Sequence, residues 1–319
     1  MKVVIVGAGG IGQHIAAQLG EAGHEVVLGS RSGTRVGTGV TPNPQRVTSA
    51  TVDASDPRAL TALANGADVL VNAVNPPYTR WPELWPPLAQ GFLAAAEASG
   101  AALMTVGNLY GYGPGSSPMT EATPLAATGA KGRVRADMWR EALAAHQQGR
   151  VRVTELRASD YFGPGAGDAV SYLNRFAIAP AMAGRTARHI RGDMQAPHSW
   201  TYIADIARLA VAVAESDHDG TDWGRPWHVP TAAPRTMSQV AADVAEVAGV
   251  PAHEPRLYPA VVRWGMRVVP LIRELDETAY QFDRPFVLDA SAAEKRFGLT
   301  PTGWRDALAS TVAWQRSRG

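Results

Sequence analysis

The chain has no cysteine, which excludes disulfides, zinc–thiolate sites and thiol catalysis, and leaves the redox compartment open because such an absence fits any compartment. It also lacks a charge imbalance. Thirty basic residues face 29 acidic ones, so there is no electrostatic footprint for nucleic acid or an anionic membrane surface. No apolar run approaches the length of a membrane span. The chain opens on an apolar segment with Lys2 as its only early charge, so no leader is expected and a cytoplasmic location is the default. The eight histidines form no H-E-x-x-H and no close pair, so no metal site is expected. There is no G-x-S-x-G elbow, internal repeat or low-complexity tract. What remains is 319 residues, enough for a large core in one big or two modest domains.

The most informative segment is at the start. Val3-Val4-Ile5-Val6 runs into Gly7-Ala8-Gly9-Gly10-Ile11-Gly12, followed by an amphipathic stretch to Leu19 and a second apolar run, Val26-Val27-Leu28. A buried strand feeding a G-x-G-x-x-G turn that opens a helix aims backbone N–H groups and the positive helix end at a pyrophosphate. Gly7 is expected to make the tight turn, Gly9 to let the phosphates approach, and Gly12 to pack helix on strand; Gly10 and Ile11 complete the cofactor contacts. The second strand ends on Ser30-Arg31-Ser32, with Arg35 nearby, where an NAD site would carry an acid for the ribose 2'-hydroxyl. A cation and small donors suit a 2'-phosphate, so NADP(H) is expected over NAD(H).

The N-terminal half alternates short apolar strands (residues 2–6, 25–29, 46–52, 68–73, 102–106 and 151–157) with helical stretches, the pattern of an α/β, doubly wound parallel sheet. Helices are expected from Asp56-Pro57 to about Leu63, from about Leu84 to Ala98 and from about Ala130 to His146. After Gly163-Pro164-Gly165 the rhythm changes. Trp200 to Ala214 reads as a strand and helix returning to the main sheet. The expected division is a Rossmann domain of 1–163 plus about 200–229, with an interleaved, smaller C-terminal substrate lobe of 164–199 and about 230–319. In the lobe, Arg185, Arg188, His189 and Arg191 offer either an anion clamp or a solvated strand face. Trp81 and Trp85 read as packing at a helix start.

Further segments follow in a fixed order: Asp53-Ala54-Ser55-Asp56, Leu109-Tyr110-Gly111, Leu156 to Gly165, Thr201 to Ala207, Trp227-His228-Val229-Pro230, and Leu288-Asp289-Ala290-Ser291 before Phe297-Gly298-Leu299-Thr300-Pro301. In that order they resemble the extended short-chain dehydrogenase/reductases, the NAD-dependent epimerase/dehydratase family, along nearly the whole chain. The resemblance implies a seven-stranded Rossmann sheet, a small substrate lobe and hydride transfer at a nicotinamide. It adds Asp53 and the strand end Asn72-Ala73-Val74 to the expected cofactor contacts. It also implies a Tyr-x-x-x-Lys pair, the lysine holding the nicotinamide ribose while the phenol moves the proton.

Here the chain departs from the family. Lys131 is available, yet the tyrosine position is Ala127 and the family's Ser or Thr position is Val106. The expected catalytic residues are Lys131, which could itself be the acid, and Tyr110; Asn75, Tyr78, Asn108, Tyr112, Asp160 and Tyr161 follow the fourth, fifth and sixth strands and are candidates for substrate contact. The leading expectation is an NADP(H)-dependent oxidoreductase acting on a carbonyl, imine or activated alkene of a small molecule. A nucleotide-sugar epimerase or dehydratase is the alternative within the family, and a catalytically silent NADP(H)-binding sensor or regulator is the alternative outside it. The expected partner is a small-molecule substrate, with no nucleic acid and no membrane, and a homodimer is left open.

Overall fold

A computed structural model describes residues 1–33, 46–167, 171–216, 220–266, 268 and 276–318; Arg35 lies outside the described residues. Seven parallel strands form the central sheet: β1 (Lys2–Val6), β2 (Glu25–Ser30), β3 (Val47–Thr51), β4 (Val69–Asn72), β5 (Ala102–Asn108), β6 (Val153–Ala158) and a seventh contributed late in the chain by Arg225–His228. Their spatial order places β1 between β2 and β4, with β3 at one edge and the late strand beside β6 at the other. The chain reverses direction across the sheet between β3 and β4. Ligands of open parallel sheets collect at that switch, outside the carboxyl ends of the strands.

The central strands β1 and β4 read as short apolar runs because both faces are covered, whereas the edge strand β3 is polar and largely exposed. On one face α1 (Gly10–Glu21) joins Ile15, Leu19, Leu28 and Met104 in a continuous core. On the other, α2 (Pro57–Ala64), α3 (Trp81–Ser99) and α4 (Ala130–Gln147) bury Leu60, Phe92, Trp139 and Ala145. Helix α2 starts as its sequence indicates, Asp56 Oδ1 accepting from the N–H groups of Arg58 and Ala59. Helix α3 begins three residues before the expected Leu84. Trp81 and Trp85 are one turn apart, both buried and in edge contact at 6.1 Å, and this packing carries the helix through Pro86 and Pro87.

Trp200 to Ala214 departs from its expected course in one respect. Its strand residues do not enter the main sheet: β9 (Thr201–Tyr202) pairs with β7 (Tyr161–Phe162) in a separate two-stranded ladder. The following helix does return, its Ile206, Leu209, Ala210 and Val213 joining the core beside α1. The seventh sheet strand is instead Arg225–His228, in register with Thr154–Arg157 of β6. A further core, centred on Phe162, Leu173, Ile178, Trp200, Val240, Val244 and Leu308, gathers residues from 162 to 312 over the carboxyl end of β6. In the same region β8 (Arg188–His189) pairs with Arg256–Leu257. No helix among the described residues is long and apolar enough to cross a membrane.

Candidate active site

The first wall is the turn after β1. Gly7 has a φ of +117°, and a Cβ there would lie 2.4 Å from the Ala73 carbonyl. A Cβ on Gly12 would lie 1.9 Å from the Gly7 carbonyl oxygen, and one on Gly10 would lie 2.3 Å from that of Gly165. Three glycines are thus demanded by backbone against backbone. Gly9 differs: nothing lies within 4 Å of the position its Cβ would take. It is the N-cap of α1, and no side chain caps that helix start, so the first-turn N–H groups face the open space above Gly9. Asn72 is buried and its Oδ1 accepts from Val74 N–H, while Ala73 N–H donates to the Val6 carbonyl. The Asn72–Val74 backbone therefore floors the turn.

At the adjacent strand end, Arg31 and Ser32 are exposed and Ser30 is half-buried. Asp53 is exposed too, its carboxyl held below the usual range by hydrogen bonds from the Ser55 N–H and hydroxyl, with a smaller contribution from the Arg31 charge. Arg31 and Asp53 thus share one rim of the turn.

The second wall is built on α4. Lys131 lies in the first turn of that helix and is 1% exposed. Gly129, the N-cap, offers no side chain, and Glu277 fills the role from 146 residues away: its Oε1 accepts from Lys131 N–H at 2.6 Å, and its Oε2 lies 3.6 Å from Lys131 Nζ. A carboxylate at a helix N-terminus satisfies both the orphan donors and the dipole. Lys131 Nζ also stands over the Tyr78 ring, 4.7 Å from its centroid. The Tyr78 hydroxyl is 3.0 Å from Thr278 Oγ1 and meets Tyr110, whose phenol in turn meets the Gln281 side chain. Desolvation pushes the Tyr78 phenol up to about 12 and the Tyr110 phenol well above its ordinary value. Behind Tyr110 stands Trp81, at 5.8 Å, and the buried Arg135 guanidinium lies over the rings of Trp81 and Trp85. Burial lowers Arg135 to about 10.

Lys131, Tyr78 and Tyr110 therefore come together. Other candidate residues are placed differently. Tyr112 is buried beneath the sheet end, where its hydroxyl accepts from Arg157 Nη1 at 2.8 Å and donates to His228 Nε2 at 2.7 Å. His228 Nδ1 faces the Asp289 carbonyl oxygen and Arg157 pairs with the buried Glu155, so the Tyr112 hydroxyl is engaged on both sides within a structural network. Asn108 turns its Oδ1 back to Tyr110 N–H, Asn75 is exposed, and Tyr161 packs against the sheet core. Ala127 precedes α4 altogether; its N–H donates to the Gly111 carbonyl, and its backbone packs under Gly113. Val106 is a β5 core neighbour paired with Leu156.

The third wall comes from the lobe. Asp160, just beyond β6, approaches His198, with Oδ2 to Nε2 at 2.9 Å. His198 is stacked on Trp200 at 3.9 Å and on Phe282 at 5.2 Å. It borders a small cavity shared with Tyr172, His189, Trp200, Met237 and Phe282. Of the four basic lobe residues, Arg185 and Arg188 are exposed, His189 is buried against the Tyr172 hydroxyl, and Arg191 is paired with Asp276. No group of three or more metal-ligating side chains occurs among the described residues.

Glu277, Thr278, Gln281 and His198 escaped the sequence reading. None belongs to a local motif, and each reaches the site only through the tertiary fold. Asp160 could be found because it follows a sheet strand; His198 carried no such signal.

Comparison with known proteins places this architecture. Three solved structures align with it over nearly their full lengths. UDP-glucose 4-epimerase of Thermotoga maritima, solved with UDP-glucose, is 15% identical with a TM-score of 0.79, covering 100% of this chain and 99% of the other. UDP-glucuronic acid 4-epimerase of Bacillus cereus, in complex with NAD, is 17% identical with a TM-score of 0.78 over 100% and 99%. The dTDP-glucose 4,6-dehydratase of Bacillus anthracis, also with NAD, is 16% identical with a TM-score of 0.76 over 99% and 97%. A search of curated proteins finds no significant match. The model of the NAD-dependent epimerase/dehydratase family matches residues 3–224, and with the glycine turn, the parallel sheet and the position of Lys131 it establishes that the chain belongs to that family.

Proposed function

We propose that this chain is an oxidoreductase moving a hydride between a nicotinamide cofactor, NADP(H) in preference to NAD(H), and a carbonyl, imine or activated alkene carbon of a small organic substrate. The observation that carries the reading is Lys131, buried in the first turn of α4 with its Nζ over the face of the Tyr78 ring. It lies at the same strand-end edge of the sheet as the open turn at Gly9.

The turn fits a dinucleotide because the one glycine with free space above it also caps a helix without a side-chain cap. In this reading the first-turn N–H groups of α1 bind the pyrophosphate, and Ser30, Arg31 and Ser32 take the 2'-phosphate. Lys131 donates to the nicotinamide ribose and its charge favours negative charge developing on the substrate. The bound cofactor supplies or accepts the hydride. Trp81, Tyr78 and the lobe aromatics keep water from the reacting carbon.

The nucleotide-sugar epimerases and dehydratases among the structural neighbours give a second reading. The acidic Asp160 and Glu277 on the substrate side count against it, while the exposed Arg185 and Arg188 of the lobe are the cations that a sugar diphosphate would call on. Titration with NADPH and NADH, followed by NADPH oxidation against aldehydes, ketones and imines, tests the proposal. Tighter NADPH binding and turnover with one of these compounds are expected. Equal affinity for both cofactors removes the NADP(H) preference, and conversion of UDP- or dTDP-sugars alone establishes the second reading. Binding without any turnover would leave a sensor.

A further inference from the structure

Asp160 is a carboxylate short of hydrogen-bond donors. It lies just beyond β6 with its side chain 19% exposed, and its buried Oδ2 accepts no hydrogen bond from the protein. The His198 imidazole comes within 2.9 Å of that oxygen, yet Nε2 and Oδ2 are not hydrogen-bonded to each other. A second acceptor is in the same condition. Gln281, whose carbonyl oxygen lies 3.1 Å from His198 Nδ1, is 2% exposed; its Nε2 donates to the Thr278 carbonyl and its Oε1 accepts nothing from the protein. Buried acceptors are rarely left so. Two of them side by side suit a ligand that brings N–H groups or positive charge.

The surroundings are aromatic. Burial raises the phenols of Tyr78, Tyr110, Tyr161, Tyr172 and Tyr280, and the Asp160 charge raises each further. Five of the eight tyrosines in the chain therefore stand near this one carboxylate, and they stay neutral there. The protein already shows how such a surface holds an ammonium: Lys131 Nζ has the Tyr78 ring on one side, 4.7 Å from its centroid, and Glu277 Oε2 on the other at 3.6 Å. Asp160 and its tyrosines repeat that combination of carboxylate and ring. No lysine or arginine among the described residues forms an ion pair with Asp160. The charge of Lys131 faces Glu277, and the Arg135 guanidinium is stacked on Trp81 and Trp85, so Asp160 is the carboxylate left for a substrate.

We propose that the substrate is a cation, an iminium ion whose nitrogen is held by the Asp160 carboxylate and the tyrosine rings around it. The inference rests on the oxidoreductase reading and names the substrate class within it. In the reductive direction a hydride, with its electron pair, passes from NADPH to the iminium carbon and forms a C–H bond. The C=N π pair moves to nitrogen and cancels its positive charge, and the cofactor is left oxidised. A carbonyl oxygen has to gain a proton as the hydride arrives, whereas an iminium nitrogen does not; the neutral amine takes its proton from water on release. The chemistry thus proceeds with Ala127 at the position where the family carries its phenol. Lys131 keeps the task of holding the ribose.

Two measurements on the full chain test the assignment. The first is NADPH oxidation with the N-methyl-3,4-dihydroisoquinolinium cation and with 1-tetralone, a neutral ketone on the same fused-ring skeleton. An iminium is the more electrophilic of the two, so the deciding quantity is how the ratio of their kcat/KM values changes when the carboxylate is removed. Asp160→Asn should lower the iminium-to-ketone ratio at least about tenfold, the scale of one charge-assisted contact, and change NADPH affinity by less than about twofold. An unchanged ratio, or a wild-type protein that prefers the ketone, overturns the proposal.

The second needs neither turnover nor a variant: tryptophan fluorescence titration of the NADP-bound protein at pH 7 with 1,2,3,4-tetrahydroisoquinoline, an ammonium at that pH, and with its neutral isostere isochroman. The ammonium should bind at least about tenfold more tightly. Equal binding, the result if His198 supplied the balancing charge, overturns the proposal. Wild-type protein that oxidises NADPH with neither compound of the first test counts against the oxidoreductase reading, while the titration still decides whether the site takes a cation.

Discussion

At the glycine turn, Gly7, Gly10 and Gly12 are fixed by backbone atoms of residues that the sheet itself brings close. Around Lys131 the important partners are side chains, and Glu277 is 146 residues away. A change at the turn meets backbone that cannot move, so it disturbs the fold unless it falls on Gly9. A change around Lys131 meets groups that can rearrange, so it disturbs the chemistry while the sheet survives.

The sharpest break of this contrast is within the turn. Gly9→Val should abolish NADPH binding in a protein whose thermal unfolding is nearly that of the wild type, because its side chain enters open space that the phosphates need. Gly12→Ala should instead cost about 1–3 kcal/mol of stability by overpacking. Calorimetry with NADPH titration separates the two, and normal NADPH affinity in folded Gly9→Val would reduce the motif to a turn. On the other wall, Lys131→Met should lower turnover on the order of a hundredfold with only a moderate change in NADPH affinity; steady-state kinetics with a fluorescence titration check this, and normal turnover would remove Lys131 from the mechanism.

Acid should find the lobe wall first. Burial holds His189 down at about 4 from an ordinary 6.5, so the unfolded chain takes up that proton more readily than the folded one. Stability is intact above about pH 6.5 and falls as pH drops toward 4, by about 3 kcal/mol from this residue. Melting curves over that range should flatten in His189→Gln, and an unchanged pH slope would show that His189 is not responsible. The smallest expected change is at the exposed rim: Arg31→Asp should weaken NADPH by about 1–3 kcal/mol and NADH less. Equal losses in parallel titrations would refute a selective role.

Much of the sheet was legible because parallel strands buried on both faces leave continuous apolar runs, and the glycine turn because its spacing is itself the constraint. The strand at Thr201–Tyr202 joins β7 and not the central sheet that its sequence suggests, because two residues carry no information about partners. The start of α3 lies earlier than its sequence indicates because the prolines hide a helix that packing of Trp81 and Trp85 sustains. In the site, Lys131 and Tyr110 were visible from order along the chain. Glu277 and His198 were invisible for the opposite reason: a lone carboxylate or imidazole acquires meaning only from what the fold sets beside it.

Glu277 has a consequence for the order in which the molecule is assembled. The first turn of α4 has no cap of its own, and the carboxylate that closes it arrives after all seven strands of the central sheet have been synthesised. A nascent or truncated chain ending before residue 277 would leave that turn to fray, with Lys131 sampling several orientations. The orientation of Lys131 is therefore fixed late, when the segment around Glu277 docks onto the start of α4.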